Sequence, residues 1–275
     1  MSTTTNLGLL KQKQIFRKTI KIFGPPGTGK TWTLIERVVK KYLKKGIDPD
    51  KIAFISFTNK AVDTAKIRAL EAFPHLDSKS FSRFRTLHSY CRRYFEEEIF
   101  DTKDCMIDYA LTNNFVKRSD NRLSQDNFTY SDWSLGIYDK ARNLLEDPVL
   151  VYKKESQKKD SLDVYTRKIS TYEHYKTAGG ERSFLDFTDM IERALHEVEF
   201  PKLEVLILDE AQDFTPLQWS LIYKMSDTVK RIYLAGDDDQ AIYQWNGADT
   251  KYFTKYFPGR KVVLRKTRRF GQRCP

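Results

Sequence analysis

The chain has 275 residues, of which 40% are hydrophobic and 31% are charged, so it can bury the core of one large or two modest domains. Its apolar runs fall short of the ~20 residues that cross a bilayer, and its first residues lack the apolar centre of a signal peptide. Three widely spaced cysteines argue against a disulfide framework and a zinc site. We therefore expect a cytoplasmic protein without membrane association.

The net charge of +11 lies mainly at the two ends of the chain. Residues 1–35 and 260–275 hold many lysines and arginines and no acidic residue, whereas the stretch between them is close to neutral. Basic charge favours polyanionic partners such as nucleic acid. Basic ends on a solvated surface explain the same pattern equally well, so charge alone does not assign a partner.

The beginning of the chain predicts an alternation of buried strands and amphipathic helices. Strands are predicted at KTIKIFG (18–24) and KIAFISFT (51–58), since each is a short apolar run bounded by polar residues. Helices are predicted at KTWTLIERVVKKYLKKG (30–46), which ends at a glycine, and at NKAVDTAKIRALEAF (59–73), which ends before a proline. Strands separated by helices indicate a parallel sheet covered by helices, and therefore an α/β fold.

The middle of the chain lacks this alternation. Between about Ile99 and Ala178 it is rich in Lys, Asp, Asn and Tyr and has one glycine, Gly136. This composition predicts a mostly helical insertion that ends in the linker TAGGERS. The predicted boundaries are 99–183 for the insertion, and 1–98 with 184–275 for the α/β domain.

The alternation returns after the insertion. The segment LDFTDMIERALHEV (185–198) predicts an amphipathic helix. Strands are predicted at KLEVLILDEAQD (202–213), RIYLAGDDDQ (231–240) and RKVVLRK (260–266). The chain is therefore expected to be one α/β domain interrupted by a helical subdomain.

The octapeptide GPPGTGKT follows the first predicted strand and opens the first predicted helix, and it fits the pattern G-x-x-x-x-G-K-[ST]. Glycines let backbone N–H groups turn towards phosphate oxygens, and the helix N-terminus adds its dipole. Lys30 can reach the β- and γ-phosphates, and the Thr31 hydroxyl can bind Mg²⁺. A chance glycine-rich turn is the alternative. The predicted nucleotide contacts are Gly24, Pro25, Pro26, Gly27, Thr28, Gly29, Lys30 and Thr31.

Two acids, Asp209 and Glu210, come directly after an apolar predicted strand. In a parallel sheet the ligand lies at the carboxyl ends of the strands. Asp209 is therefore expected to hold Mg²⁺ through water, and Glu210 to orient and deprotonate the water that attacks the γ-phosphate. A solvated acidic turn is the alternative interpretation.

Several segments resemble, in order, the motifs of superfamily 1A helicases of the UvrD/Rep type. They are GPPGTGKT (motif I), FISFTNKAVDTAKIR (Ia), RTLHSYCRRYF (Ib), LDFTDMI, LILDEAQDFTPLQWSLI (II), IYLAGDDDQAIYQWNGAD (III) and LRKTRR, a poor version of motif IV. The resemblance covers nearly the whole chain. It implies a RecA-like P-loop NTPase domain with an inserted subdomain, and ATP with Mg²⁺ as cofactors.

The resemblance also implies roles for residues that match its motifs. Gln240 would sense the γ-phosphate and act in catalysis with Glu210 and Lys30, and Gln212 would be a second polar link beside Glu210. The residues implied to contact single-stranded DNA are Phe57, Thr58, Asn59, His88, Ser89, Tyr243 and Trp245. Aromatic faces accept any base by stacking, although packing in the core is the alternative for each of these rings.

The sequence departs from the family pattern around the adenine. Arg268 replaces the motif IV tyrosine that packs on the base, whereas Arg269 matches the arginine that contacts the γ-phosphate. Trp32 stands where an arginine commonly follows the P-loop threonine. Gln14, with Gln12 as a second candidate, would be the adenine-reading glutamine.

The resemblance implies that this chain is the N-terminal half of an ATP-dependent DNA helicase or translocase. The family continues into a second RecA-like domain (2A) that carries motifs V and VI, which this sequence lacks. The chain alone is then expected to hydrolyse ATP and to contact single-stranded DNA without unwinding duplexes. Two alternatives are a P-loop ATPase that binds nucleic acid or a protein partner without unwinding, and an inactive nucleotide-binding module.

Overall fold

The computed structural model describes residues 11–99, 103–113, 132–155, 160–177, 184–237 and 247–264. The strands are β1 (Thr19–Phe23), β2 (Ile52–Ser56), β3 (Phe84–Thr86), β4 (Glu98–Ile99), β5 (Phe184–Leu185), β6 (Leu203–Leu208), β7 (Val229–Gly236) and β8 (Arg260–Val263). The helices are α1 (11–18), α2 (Lys30–Thr33), α3 (Lys40–Lys44), α4 (Asn59–Ala72), α5 (Leu87–Arg92), α6 (Lys103–Thr112), α7 (Trp133–Leu144), α8 (Pro148–Lys154), α9 (Leu162–Thr177), α10 (Phe187–Glu197) and α11 (Pro216–Ser226). A π-helical segment, Leu34–Val39, joins α2 to α3, and another spans Tyr252–Tyr256.

The chain divides into two compact units. Residues 1–90 with 198–275 form the α/β unit, and residues 91–197 form the inserted unit. Among the described residues, the α/β unit carries one parallel sheet of six strands in the order β3-β2-β6-β7-β1-β8. The predicted α/β fold with a parallel sheet is therefore confirmed. Strand β3 was not expected, because its three residues are too few to show a strand pattern.

The core of the α/β unit lies between the sheet and helices α2–α4. Alternate residues of the central strands enter this core, for example Ile52 and Phe54 of β2 and Val205 and Ile207 of β6. The β6 sequence LEVLIL is buried at five of its six positions, as expected for a central parallel strand. The sheet therefore presents the carboxyl ends of its strands at one edge, where the glycine-rich loop begins.

The inserted unit is mostly helical, as predicted, with one short parallel pair formed by β4 and β5. Its contacts extend from residue 91 to residue 197 and so include α10, which the predicted range 99–183 leaves out. Asp186, just before α10, and Asp189 and Glu192 within it all form ion pairs with Arg142 of α7. These pairs hold α10 to the inserted helices. Within the described residues, no helix is both long and apolar enough to cross a membrane.

Candidate nucleotide site

The glycine-rich loop connects β1 to α2. Gly27 and Gly29 adopt left-handed backbone angles, with φ of 81° and 83°, which a side chain would strain. The Thr28 hydroxyl donates a hydrogen bond of 2.8 Å to the Pro25 carbonyl and closes the turn. The sequence pattern alone predicted this strand, loop and helix.

Lys30 is the first residue of α2 and is buried. Its Nζ donates a hydrogen bond of 2.7 Å to the carbonyl oxygen of Gly24. The ammonium group thus points back across the loop at the residue that follows β1. A phosphate in the loop would offer this ammonium group a charged acceptor, which is a stronger partner than a neutral carbonyl.

Asp209 lies at the end of β6 and is 1% exposed. Its N–H donates to the Ile55 carbonyl of β2 at 2.9 Å, and its Oδ2 accepts a hydrogen bond of 2.6 Å from the Thr31 hydroxyl. Burial, reinforced by the negative charge of Glu210, raises the pKa of Asp209 to about 7. Its buried place therefore disfavours the ionised carboxylate.

The residues around Asp209 fit a magnesium ion. The Thr31 hydroxyl and the Asp209 carboxylate are hard oxygen ligands that already touch, and Mg²⁺ is commonly held by one or two carboxylates and by substrate phosphates. A bound cation would also offset the unfavourable burial of the carboxylate. The described residues contain no cluster of three or more His, Cys, Asp or Glu that could hold a metal ion.

Glu210 has an unusual backbone for a residue with a side chain, with a φ of 53°. A non-glycine residue in this region is strained by roughly 1–3 kcal/mol, and such strain clusters at functional sites. The Glu210 Oε2 atom accepts a hydrogen bond of 3.1 Å from Nε2 of Gln212. Gln212 therefore holds the carboxylate in one direction.

Gln212 forms hydrogen bonds with residues that follow two neighbouring strands, β6 and β7. Its Nε2 also donates to Asp213 at 3.1 Å, and its Oε1 accepts from the backbone N–H of Asp237, just after β7, at 3.1 Å. A Cβ atom on Gly236 would lie 2.7 Å from Gln212 Oε1 and 2.7 Å from Phe253 Cε1. Glycine is therefore required at this position for these hydrogen bonds to form. A place for Gln212 beside Glu210 was expected from the resemblance, whereas its hydrogen bond with Asp237 was not.

The described residues predicted to contact DNA or the base have varied surroundings. Thr58 and Asn59 are exposed, and Phe57 is partly buried, at the beginning of α4. The Ser89 hydroxyl accepts a hydrogen bond of 3.0 Å from Arg85. Burial lowers the pKa of His88 to about 4, so its imidazole is neutral at pH 7.

Gln14 is exposed on α1, and Trp32 is partly buried in α2. The predicted sensor Gln240, the stacking residues Tyr243 and Trp245, and Arg269 lie outside the described residues. Their predicted roles therefore stay predictions.

A parallel sheet, a glycine-rich loop that leads from β1 into a helix, and acids at the end of β6, which β7 separates from β1, define the fold of a P-loop NTPase of the RecA-like type. Residues 9–257 match the family model described as the UvrD/REP helicase N-terminal domain. The chain therefore belongs to that family, as its motifs predicted.

Known relatives are similar at moderate identity. The chain is 25% identical over 244 residues to a probable DNA helicase II homolog of Mycoplasma pneumoniae, covering 82% of this chain and 34% of the relative. It is 28% identical over 257 residues to the ATP-dependent DNA helicase PcrA of Bacillus subtilis, covering 86% and 34%. It is 27% identical over 266 residues to the ATP-dependent DNA helicase Rep of Buchnera aphidicola, covering 88% and 39%. The chain thus spans little more than a third of the length of these relatives.

Proposed function

We propose that this chain is the ATP-hydrolysing half of a DNA helicase or translocase and that it contacts single-stranded DNA. The observation that carries the proposal is a line of hydrogen bonds that begins at Thr31, with Asp209, and continues from Glu210 through Gln212 to the end of β7. Such a line joins the nucleotide loop to the segment that resembles motif III. The printed names of the relatives, ATP-dependent DNA helicases, support the same function.

In the proposed site the loop from Gly24 to Thr31 surrounds the phosphates of ATP. Lys30 exchanges the Gly24 carbonyl for the β- and γ-phosphates, and Arg269 contacts the γ-phosphate. Trp32 and Gln14 are our candidates for contacts with the base. Thr31 and Asp209 hold Mg²⁺. When bound there, the ion neutralises charge on the β- and γ-phosphates.

Glu210 is the proposed general base. Gln212 fixes one of its carboxylate oxygens, Oε2, and we assign the other, Oε1, to the attacking water. Proton transfer of this kind contributes about 10²–10⁴-fold to a rate. Gln240 is proposed to sense the γ-phosphate and, since Asp237 is held by Gln212, to pass its loss on to the following aromatic residues.

The proposed DNA surface combines residues of three motifs and needs a second domain. Its members are Phe57, Thr58, Asn59, His88, Ser89, Tyr243 and Trp245. Movement along DNA requires two domains that open and close around the nucleotide. We therefore propose that this half works with a second RecA-like domain, and that it does so in the cytoplasm.

The test is to measure ATP binding and hydrolysis by the 275-residue chain with and without a single-stranded oligonucleotide. We expect ATPase activity that DNA stimulates, and no unwinding of duplex DNA by this chain alone. The variant Lys30→Ala should lose nucleotide affinity, whereas Lys41→Ala, at an exposed lysine of α3, should not.

Each other outcome has a distinct meaning. Hydrolysis that ignores DNA would favour an ATPase that binds another partner, and binding without hydrolysis would favour an inactive nucleotide-binding module. Efficient unwinding by the chain alone would contradict the proposal of a half-motor.

A further inference from the structure

Ser56 is a polar residue whose side chain is fully buried at the end of a strand. It ends β2, whose sequence is IAFIS, and it is 0% exposed. Within the described part of the chain its Oγ has no hydrogen-bond partner. A buried hydroxyl without a partner lowers stability and calls for an explanation, such as a ligand or a second state that supplies the missing partner.

The sheet places Ser56 beside the proposed magnesium ligand. Phe54 and Ile207 point into the same core, so the alternation of side chains brings Ser56 and Asp209, two residues further along, to the same face. Strands β2 and β6 are neighbours in register, and the Asp209 N–H donates to the Ile55 carbonyl at 2.9 Å. Ser56 and Asp209 are therefore adjacent positions at the carboxyl edge of the sheet.

On its other side Ser56 has a neighbour that leads to α5. Ser56 is paired in register with Thr86 of β3. The Thr86 hydroxyl accepts a hydrogen bond of 3.3 Å from the Ser89 N–H in the first turn of α5. That turn carries His88 and Ser89, both of which we propose as DNA contacts.

Ser56 thus lies between the nucleotide site and the nucleic-acid contact, in one row of side chains across the strand ends. We propose that Ser56 is a positioning residue that couples the two: when nucleotide and cation draw the Thr31 hydroxyl away, the Ser56 hydroxyl takes its place on Asp209. This inference rests on the proposed function. It gives an acceptor to the Ser56 hydroxyl, which has no partner in the described part of the chain, and it gives Asp209 a donor in both states.

The test compares Ser56→Ala and Ser56→Cys with the unchanged chain. In the nucleotide-free state both variants should melt at the same temperature as the parent or higher, because a hydroxyl without a partner has been removed. Affinity for Mg²⁺ with a non-hydrolysable ATP analogue, measured by calorimetry, should fall about tenfold, equivalent to about 1.4 kcal/mol. Affinity for a single-stranded oligonucleotide should then no longer depend on the analogue.

Ser226→Ala is the matched control. Ser226 is also 0% exposed, but its hydroxyl donates to the Tyr223 carbonyl at 2.7 Å at the end of α11. This variant should lower the melting temperature and leave the affinity for the analogue unchanged. Ser226→Ala is thus expected to change the melting temperature but not the affinity for the analogue, whereas Ser56→Ala is expected to lower the affinity without lowering the melting temperature.

Three results would overturn the inference, and they are distinguishable. If the unchanged chain binds the analogue and Ser56→Ala binds it equally well, Ser56 has no role and the proposed function stands. If Ser56→Ala melts as far below the parent as Ser226→Ala does, its hydroxyl is structural. If the unchanged chain itself does not bind the analogue with Mg²⁺, the proposed function fails as well.

Discussion

Asp186 in the inserted unit and Asp209 in the α/β unit are both buried acids, but their surroundings shift their pKa values in opposite directions. In the inserted unit Asp186 pairs with Arg142 at 2.8 Å and with Lys176 at 2.7 Å. Burial alone would raise its pKa, but these two cations hold the pKa of Asp186 below its ordinary value. In the α/β unit, burial and Glu210 instead raise the pKa of both Asp209 and Asp213 to about 7, although Lys30 opposes the shift.

We interpret this difference as one between charges that hold a fold together and charges that we propose to serve a ligand. Asp186, Asp189 and Glu192 of the inserted unit share a cation from the same chain, Arg142. The acids at the strand ends are strained by burial and by each other, and a cation with phosphate would relieve them. Four predictions, ordered from the largest expected effect to the smallest, test this comparison.

The largest effect is expected from Glu210→Gln, which keeps the shape of the side chain and removes the proposed base. Hydrolysis of ATP should fall by about 10²–10⁴-fold while nucleotide affinity is retained. The control is Glu146→Gln, at an exposed acid of the inserted unit that pairs with Lys154. The rate of ATP hydrolysis is measured with a phosphate-release assay. If Glu210→Gln hydrolyses ATP as fast as the parent chain, Glu210 is not the general base.

Arg142→Met should be the most damaging change in the inserted unit. It leaves three acids without their shared cation, and breaking a buried pair in this way costs about 3–5 kcal/mol of stability. Lys154→Met, which removes an exposed pair with Glu146, should cost about 0–1 kcal/mol. Chemical denaturation measures both. Similar losses for the two variants would show that the network around Arg142 is not what holds α10.

The aromatic residues of the two units should also respond differently. Trp245→Ala should weaken binding of a single-stranded oligonucleotide by about 1–3 kcal/mol, and the remaining affinity should fall as salt rises. Tyr152 stacks on Tyr165 inside the inserted unit, with the ring centroids 4.2 Å apart. Tyr152→Ala should therefore lower the melting temperature instead. Anisotropy and melting curves on both variants test this. A Trp245→Ala variant that only melts earlier would make Trp245 a core residue.

The smallest effect concerns pH. Because the folded-state pKa of Asp213 is raised, the folded chain binds more protons than the unfolded chain between about pH 4 and 7. Stability from this residue therefore increases as pH falls from 8 towards 5, by on the order of 1–2 kcal/mol. Asp213→Asn should flatten that part of the profile. Asp186 has the opposite sign: its contribution is present above its ordinary pKa and is lost in stronger acid.

Local patterns predicted most of the α/β unit. The apolar run of β6 and the glycine-rich loop can each be recognised from a few consecutive residues, because the residues that form each feature are neighbours in the sequence. The place of α10 could not be predicted in this way. Its attachment depends on Arg142, which lies 44 residues before Asp186 in the sequence, and a charge in a helix pattern does not show its partner.

The sequence predicted which residues belong to the site but not the hydrogen bonds and backbone conformation that arrange them. Asp209 and Glu210 were expected from an acidic strand end, yet the strained backbone of Glu210 and the Gln212 bond to Asp237 depend on three-dimensional packing. Ser56 gives no signal in sequence, because a serine in an apolar strand is usual. Its position beside Asp209 becomes apparent only from the register of β2 with β6.

The glycine at the end of β7 has a consequence for how this gene can vary. Every alternative at Gly236 would push into Gln212 and Phe253, so a library of all single substitutions should recover almost no active clone there. At Gly136, inside helix α7, a new Cβ would meet nothing within 4 Å. Alanine there should stabilise the helix by roughly 0.5–1 kcal/mol. These two glycines of one chain are thus expected to differ sharply in the substitutions that they tolerate.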